Sequence, residues 1–299
     1  YNIIRTCKGF PFFMLEKSKT TAEIRAWFAQ QWELLSEKYV EEYSAGKLDR
    51  MEKMFKGLSG KEEVVFQIPM QRPYTFYLPD LPTRTFFDTR EFRLAAVLEE
   101  NYEMIKEELE KVLTEDESKF AEYRGDGIAS DKNRMTNKTG TWKVFYFWQQ
   151  FLEQPENTKR CPKTFSLLQH LKNEKLLLGG MVCFSSLLPG TNIVPHTGPS
   201  NMRLTCHLGL LGCSGTKIFA GSDSASFQEG KCIIFDDSFL HEVHHQGNER
   251  RVTLMLDMWH PGMSELEIDV FKQLMQNSSS FMHPDEFFHS LKLVNPKIQ

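Results

Sequence analysis

Strict two-residue alternation over residues 202–210, and again over 250–258, is the property of this chain that most limits its fold. In the first run Met202, Leu204, Cys206, Leu208 and Leu210 share one parity, while Arg203, Thr205, His207 and Gly209 share the other. In the second, Arg251, Thr253 and Met255 lie opposite Val252, Leu254 and Leu256. Successive side chains of a strand point to opposite faces, so each run builds one apolar and one polar sheet surface. Further short apolar runs at residues 181–188, 216–220 and 230–235 are separated by turn residues. Many short strands at this spacing predict a β-sandwich or jelly roll.

Either side of the strand set the pattern is helical. Thr20 followed by Glu23 spells a capping box, and Ile24, Phe28, Leu35 and Tyr39 recur at helical spacing. Gly46 punctuates, and residues 48–55 predict a second short helix, with Trp27 and Trp32 as packing residues. Residues 71–87 are aromatic and rich in proline, which disfavours helix and predicts a wrapping segment or edge strand. Asp88 with Glu91 predicts the cap of one long helix, its apolar stripe running Phe92, Ala95, Leu98, Tyr102, Ile105, Leu109, Val112. Residues 125–140 predict a loop, 141–151 a buried strand and 153–161 a polar loop, and Pro162 begins a short helix reaching Leu171. Ser264 with Glu267 predicts the cap of a C-terminal helix, and residues 284–291 predict another.

Composition narrows the functional classes. A net charge of −4, without a dense run of Lys or Arg, excludes non-specific nucleic-acid binding. A chain of 299 residues is ample for a hydrophobic core, and its 24 Phe suit an aromatic-rich β interior. Six cysteines, none in a CxxC pair, predict buried thiols rather than a disulfide framework or a zinc site. Asn137 and Asn277 head glycosylation-type triplets. No apolar stretch reaches the roughly 18–20 residues that span a bilayer. The expectation is a soluble domain, cytoplasmic or, where an N-terminal anchor has been trimmed, in the endoplasmic reticulum.

The polar parities carry the chemistry. His196 follows a turn and His241 opens a strand, the placement at which adjacent strands bring distant ligands together. Imidazole nitrogen suits Fe, Zn, Cu or Ni, and the guanidinium fork of Arg251 matches a carboxylate. The common non-haem iron set is two histidines and a carboxylate, usually two residues after the first histidine. That position is Gly198, which cannot ligate. Either two protein ligands plus water make the site, or another acid such as Asp237 supplies or orients the remaining position. His244 and His245 read as exposed loop histidines.

These residues stand in a recognisable order. Phe184-Ser185, Pro189-Gly190-Thr191, Pro195-His196-Thr197-Gly198-Pro199, Asn201 and Arg203-Leu204 are followed by His207-Leu208-Gly209-Leu210. Phe235-Asp236-Asp237-Ser238-Phe239, His241-Glu242-Val243, Arg251 and Trp259-His260-Pro261 complete the set. Together with Trp148-Gln149-Gln150 and Pro162-Lys163-Thr164 upstream, they resemble the aspartyl/asparaginyl β-hydroxylases over about two-thirds of the chain. The resemblance implies a mainly β fold with flanking helices around a double-stranded β-helix (jelly-roll, cupin-like) core. It implies a dioxygenase that uses Fe(II), 2-oxoglutarate and O2 to hydroxylate an unactivated carbon, releasing succinate and CO2. By the same resemblance His196 and His241 hold the iron, Asp237 orients an iron-bound water, and Ser185, His207 and Arg251 bind 2-oxoglutarate. The glycine at 198 is then expected, because the family's iron has two histidine ligands.

Departures from the family fall on substrate reading. Thr205 stands where the family has a second arginine, leaving Arg203 on the same strand face as the candidate substrate-binding cation. Cys183 replaces a lysine, Val144 a polar glutamine, and Phe165 one partner of the animal enzymes' disulfide. The leading expectation is hydroxylation of an Asp/Asn-type side chain of a protein or peptide. The alternatives are a lipid acyl-chain hydroxylase, whose usual acid after the first histidine is missing here, and a catalytically silent binding module. The expected layout is an N-terminal helical segment (1–70), the oxygenase domain (71–263) and a C-terminal helical extension (264–299).

Overall fold

The structure, a computed structural model, describes residues 19–123, 135–149, 152–171, 176, 180–282, 287 and 291. Its strands are β1 (Phe86–Phe87), β2 (Ala121–Glu122), β3 (Trp142–Gln149), β4 (Leu152–Glu153), β5 (Val182–Leu187) and β6 (Asn192–His196). They continue as β7 (Arg203–Leu211), β8 (Thr216–Ala220), β9 (Asp223–Ser226), β10 (Cys232–Phe235), β11 (His241–His245) and β12 (Arg251–Trp259). Helices α1 (Thr21–Lys38), α2 (Val40–Ser44) and α3 (Asp49–Leu58) precede them, and α4 (Arg93–Glu100), α5 (Tyr102–Glu115), α6 (Pro155–Thr158) and α7 (Pro162–His170) are interspersed. The last, α8, is Glu265–Phe281.

One sheet runs β1-β10-β7-β12-β5-β3-β2, with β4 on β3, and the other runs β6-β11-β8-β9. From β5 to β12 the chain keeps crossing between them: β5, β7, β10 and β12 belong to the large sheet, and β6, β8, β9 and β11 to the small one. That winding is a double-stranded β-helix, and its neighbouring strands among the described residues pair antiparallel.

Strand β12 shows how alternation builds the layers. Val252, Leu254, Leu256 and Met258 pack outward in one cluster with Leu94 and Leu98 of α4, Ile105 and Leu109 of α5, and Leu168 of α7. Arg251, Met255 and Asp257 turn inward to line a cavity between the sheets. Both faces of β12 are therefore buried along its whole length. A second cluster joins Ile24 and Phe28 of α1, Met51 and Phe55 of α3, and Ile268 and Leu274 of α8 to Phe76, Met202 and Trp259. Arg50 of α3 forks onto Glu267 of α8 at 2.9 and 2.7 Å, a bidentate pair that is the stronger kind of ionic hydrogen bond.

Several sequence expectations are corrected. The single helix after Asp88 is a 3-10 turn (Thr89–Glu91), α4 and α5. Asp88 accepts from the Arg90 N–H, Phe92 is extended, and the Asn101 amide donates back to the Val97 carbonyl where α4 ends. The apolar stripe survives because both short helices press on the same sheet face. The polar loop at 153–161 contains α6 and closes β4 onto β3. His244 and His245 lie on β11, and His245 is fully buried: it bonds the Thr216 hydroxyl at 2.7 Å and the Glu249 carbonyl at 2.7 Å. The helix expected at 284–291, and the loop from 125 to 134, fall mostly or wholly outside the described residues. Both capping boxes, at Thr20 and Ser264, are formed. Five cysteines are described, and all are buried free thiols.

The proline-rich segment does both things expected of it: it wraps the barrel and then joins the large sheet as its edge strand β1. Arg72 N–H donates to the Ser238 carbonyl at 2.8 Å, Tyr74 N–H to Gly198 at 3.3 Å, and Thr75 and Phe76 N–H to Pro199 at 3.0 Å. The Leu240 N–H returns a bond to the Met70 carbonyl at 2.9 Å. Backbone donors with no ladder to join are satisfied by two loops, the one that follows His196 and the one that precedes His241.

Candidate active site

A cavity of about 330 Å³ lies between the sheets. All seven residues singled out in the sequence line it: Ser185, His196, Arg203, His207, Asp237, His241 and Arg251. They arrive on β5, β6, β7, the loop after β10, β11 and β12. Cys183 and Val144 instead pack in the apolar cluster between the sheets.

His196 and His241 are paired across β6 and β11, with ring centroids 4.1 Å apart. The Nδ1 of His196 lies 2.7 Å from the Val194 carbonyl, and that of His241 lies 2.9 Å from the Phe239 carbonyl. A carbonyl only accepts, so each Nδ1 carries the proton and each Nε2 bears the lone pair, the tautomer a metal requires. Burial, and then the neighbouring His196, lower His241 to about 3, so it is neutral at physiological pH. Among the described residues no group of three or more His, Cys, Asp or Glu side chains converges as a metal cluster.

Gly198 explains how Asp237 comes to stand beside this pair. A β-carbon at 198 would lie 2.2 Å from the Asp237 carboxyl carbon and 2.3 and 2.4 Å from its oxygens. The carboxylate therefore occupies the space a side chain at 198 would need. Its backbone carbonyl accepts the Gly198 N–H at 2.5 Å. Asp237 Oδ2 accepts from Arg203 at 2.6 Å, whereas its Oδ1 is buried without a hydrogen-bond partner among the described residues.

The opposite wall is built of donors. The Ser185 Oγ accepts the Trp142 indole N–H at 3.0 Å, which leaves the hydroxyl hydrogen to be given elsewhere. The Thr253 Oγ accepts from Arg251 at 3.0 Å and lies 3.0 Å from His207 Nδ1. In the tautomer that carries its proton on Nε2, His207 accepts the Thr253 hydroxyl hydrogen at Nδ1 and presents an N–H to the cavity. Burial, followed by Arg251 and His241, lowers His207 well below the usual imidazole range, so the ring is neutral. Arg251 is 1% exposed and lies over the Phe227 ring at 5.0 Å. It donates to the Ser185 carbonyl at 3.3 Å, and its Nε is buried without a partner among the described residues. Among the described residues no carboxylate pairs with it, and burial pushes it down to about 10. Serine, histidine and arginine thus present three donors and no acid.

Arg203 has a different environment. One terminal nitrogen meets Asp237 and the other meets Asp257, whose Oδ2 also accepts the Met181 N–H at 2.8 Å. Burial works against its charge, yet the two carboxylates hold its pKa above the ordinary guanidinium value. Burial raises Asp257 to about 6 against the opposing pull of Arg203. Thr205 faces Asp257 across β7 and β12 and reaches its Oδ1 at 3.4 Å.

Asp257, Thr253 and Trp142 were missed in the sequence. The first two share the parity of Arg251 on β12, so alternation alone places them inward. Trp142 opens a strand that reads as an aromatic run, and no local signal shows that its indole meets Ser185.

Comparison with known proteins bears on the family of the chain. The family model described as aspartyl/asparaginyl beta-hydroxylase matches residues 99–261. Human aspartate beta-hydroxylase domain-containing protein 2 is 32% identical over 239 residues, covering 77% of this chain and 62% of the human protein. Mouse aspartyl/asparaginyl beta-hydroxylase is 34% identical over 172 residues, 57% of this chain and 22% of that protein. This chain therefore spans less than two-thirds of either relative. Among solved structures, a Pseudomonas putida prolyl-4-hydroxylase covers 56% of this chain and 98% of its own at 11% identity, with a TM-score of 0.36. Two wound sheets, a histidine pair at their mouth and a family match over more than half of its length lead to one conclusion: the chain belongs to the aspartyl/asparaginyl β-hydroxylase family.

Proposed function

We propose that this chain is an Fe(II)- and 2-oxoglutarate-dependent dioxygenase that hydroxylates an unactivated carbon, at an Asp/Asn-type side chain of a protein or peptide. The observation that carries the reading is Arg251, a fully buried cation without a carboxylate partner among the described residues, in one cavity with two histidines of metal-binding tautomer. A buried unpaired charge is costly unless a ligand pairs with it, and a carboxylate matches the guanidinium fork.

The residues present fit both groups. His196 and His241 would hold the iron through Nε2. Asp237, with its unpartnered Oδ1, would accept from a water on the metal. Ser185, His207 and Arg251 would donate to the carboxylates of 2-oxoglutarate. When bound, iron and cosubstrate supply the oxidation: substrate C–H, O2 and 2-oxoglutarate become C–OH, succinate and CO2, with one atom of the O2 molecule going to the hydroxyl and the other to succinate. The chain's own part is to keep both ligand rings in one tautomer, orient the cosubstrate and exclude water with apolar walls such as Ile218, Val243 and Met255.

Aerobic incubation with Fe(II) and 2-oxoglutarate tests the reading through succinate release. Wild-type protein is expected to form succinate, His196→Ala or His241→Ala none, and Arg251→Met succinate only at 2-oxoglutarate concentrations raised at least tenfold. Succinate at background level from the wild type, or undiminished in the histidine variants, would overturn it.

A further inference from the structure

The cavity carries a charge inventory that bears on which side chain it accepts. Among its described lining residues, two arginines, Arg203 and Arg251, balance two aspartates, Asp237 and Asp257. In the reading above, on which this inference rests, ferrous iron and the 2-oxoglutarate dianion also cancel. The loaded cavity is therefore balanced before any substrate enters.

In the loaded cavity each arginine already has an anionic partner, and only the buried Arg203 Nε is left without a hydrogen-bond partner among the described residues. Arg251 is taken by the cosubstrate. Arg203 already bridges Asp237 and Asp257, and is 17% exposed against their 8% and 1%. Thr205, directly across from Asp257, adds a hydroxyl and no charge. A substrate carboxylate placed here would add a buried negative charge next to two others, and an ammonium group would add an unmatched positive one. A carboxamide adds none. Its NH2 can donate to the carboxylate side of the cavity, where the Thr205 bond to Asp257 Oδ1 is long at 3.4 Å.

We propose that the cavity selects a carboxamide side chain over a carboxylate, with Thr205 and the Arg203–Asp257 pair as the specificity-determining residues. In this site an asparagine-type residue is the acceptor, and the matched aspartate is rejected.

Two peptide pools with random flanking residues, identical except for a central Asn or Asp, test this. One arm measures retention on immobilised protein with Fe(II) and 2-oxoglutarate without oxygen. The other measures a gain of one oxygen after aerobic incubation. The Asn pool is expected to be retained and hydroxylated at least tenfold over the Asp pool. Thr205→Arg, which adds one positive charge, should move the retention ratio at least tenfold towards Asp. Asp257→Asn, which removes one negative charge with little change of shape, should move it the same way if the bulkier variant does not fold. Equal retention of the pools, preference for Asp, or a ratio unmoved by both variants would overturn the proposal. Failure of the oxygenase reading shows separately, as absent succinate, while the retention ratio still decides selectivity.

Discussion

Gly198 is the position where backbone and chemistry are least separable. Alanine there would push its β-carbon into the Asp237 carboxylate, and that carboxylate is held from the far side by Arg203. Gly198→Ala is therefore expected to lose about 1–3 kcal/mol of stability through overpacking, together with most iron-dependent turnover. Urea denaturation and succinate release check the two effects. Turnover at the wild-type level would show that Asp237 can move without consequence. The same contact makes an acid at 198 and the acid at 237 alternatives, so a three-ligand site here needs two changes rather than one. Other single residues show how local detail escapes the sequence. Asn137 and Asn277 match a glycosylation pattern, yet their amide nitrogens donate to the Gly190 carbonyl and to Gln31, contacts a glycan would break.

At the scale of elements, the strap before the barrel fixes both histidine-bearing loops. Gln71, 2% exposed, donates from Nε2 to Asp236 Oδ2 at 2.8 Å, and Asp236 Oδ1 accepts from the Ser238 N–H and hydroxyl at 2.9 and 2.5 Å. This network sets the turn that delivers His241. Gln71→Ala leaves a buried acceptor with one donor fewer and is expected to cost about 1–3 kcal/mol, read as a lowered urea midpoint. An unchanged midpoint would show that water replaces the amide. Alternation made the strands of the barrel legible, because period two survives any tertiary context that keeps one parity inward. It also made the inward set of β7 legible, Arg203, Thr205 and His207 included. The division of the 88–115 region into α4 and α5 was not legible, since both pieces preserve one stripe and the break rests on the backbone angles of Phe92 and Asn101. The short β6, which ends in His196, was hidden by its proline and half-exposed pattern. The pairing of Arg203 with Asp257 was hidden too, because strand register is invisible in sequence.

For the molecule as a whole, two buried acids tie stability to pH. Burial raises Asp236 to about 7 and Asp257 to about 6, both above the ordinary aspartate value of 3.8. A raised folded-state pKa means that the native protein holds a proton the unfolded chain has released. The contribution is therefore fully present below about pH 4 and is lost as pH climbs through 6 and 7. Asp236→Asn removes one of the two titrations but turns one acceptor of the Gln71–Ser238 network into a donor, so the pH slope rather than the absolute stability carries the comparison. Relative to wild type it should gain stability between pH 5 and pH 8, on the order of 2–4 kcal/mol. Melting temperatures across that range check it; parallel pH profiles for the two proteins would refute it. The strap brings in time at this same scale. Gln71 and Asp236 are 165 residues apart. A ribosome adding 5–20 residues per second leaves the strap waiting roughly 10–30 s for the loops it will hold. Its prolines at 69, 73, 79 and 82 keep that waiting segment from settling as helix or as an adhesive strand edge. The same segment that clasps the finished site thus guards the unfinished chain.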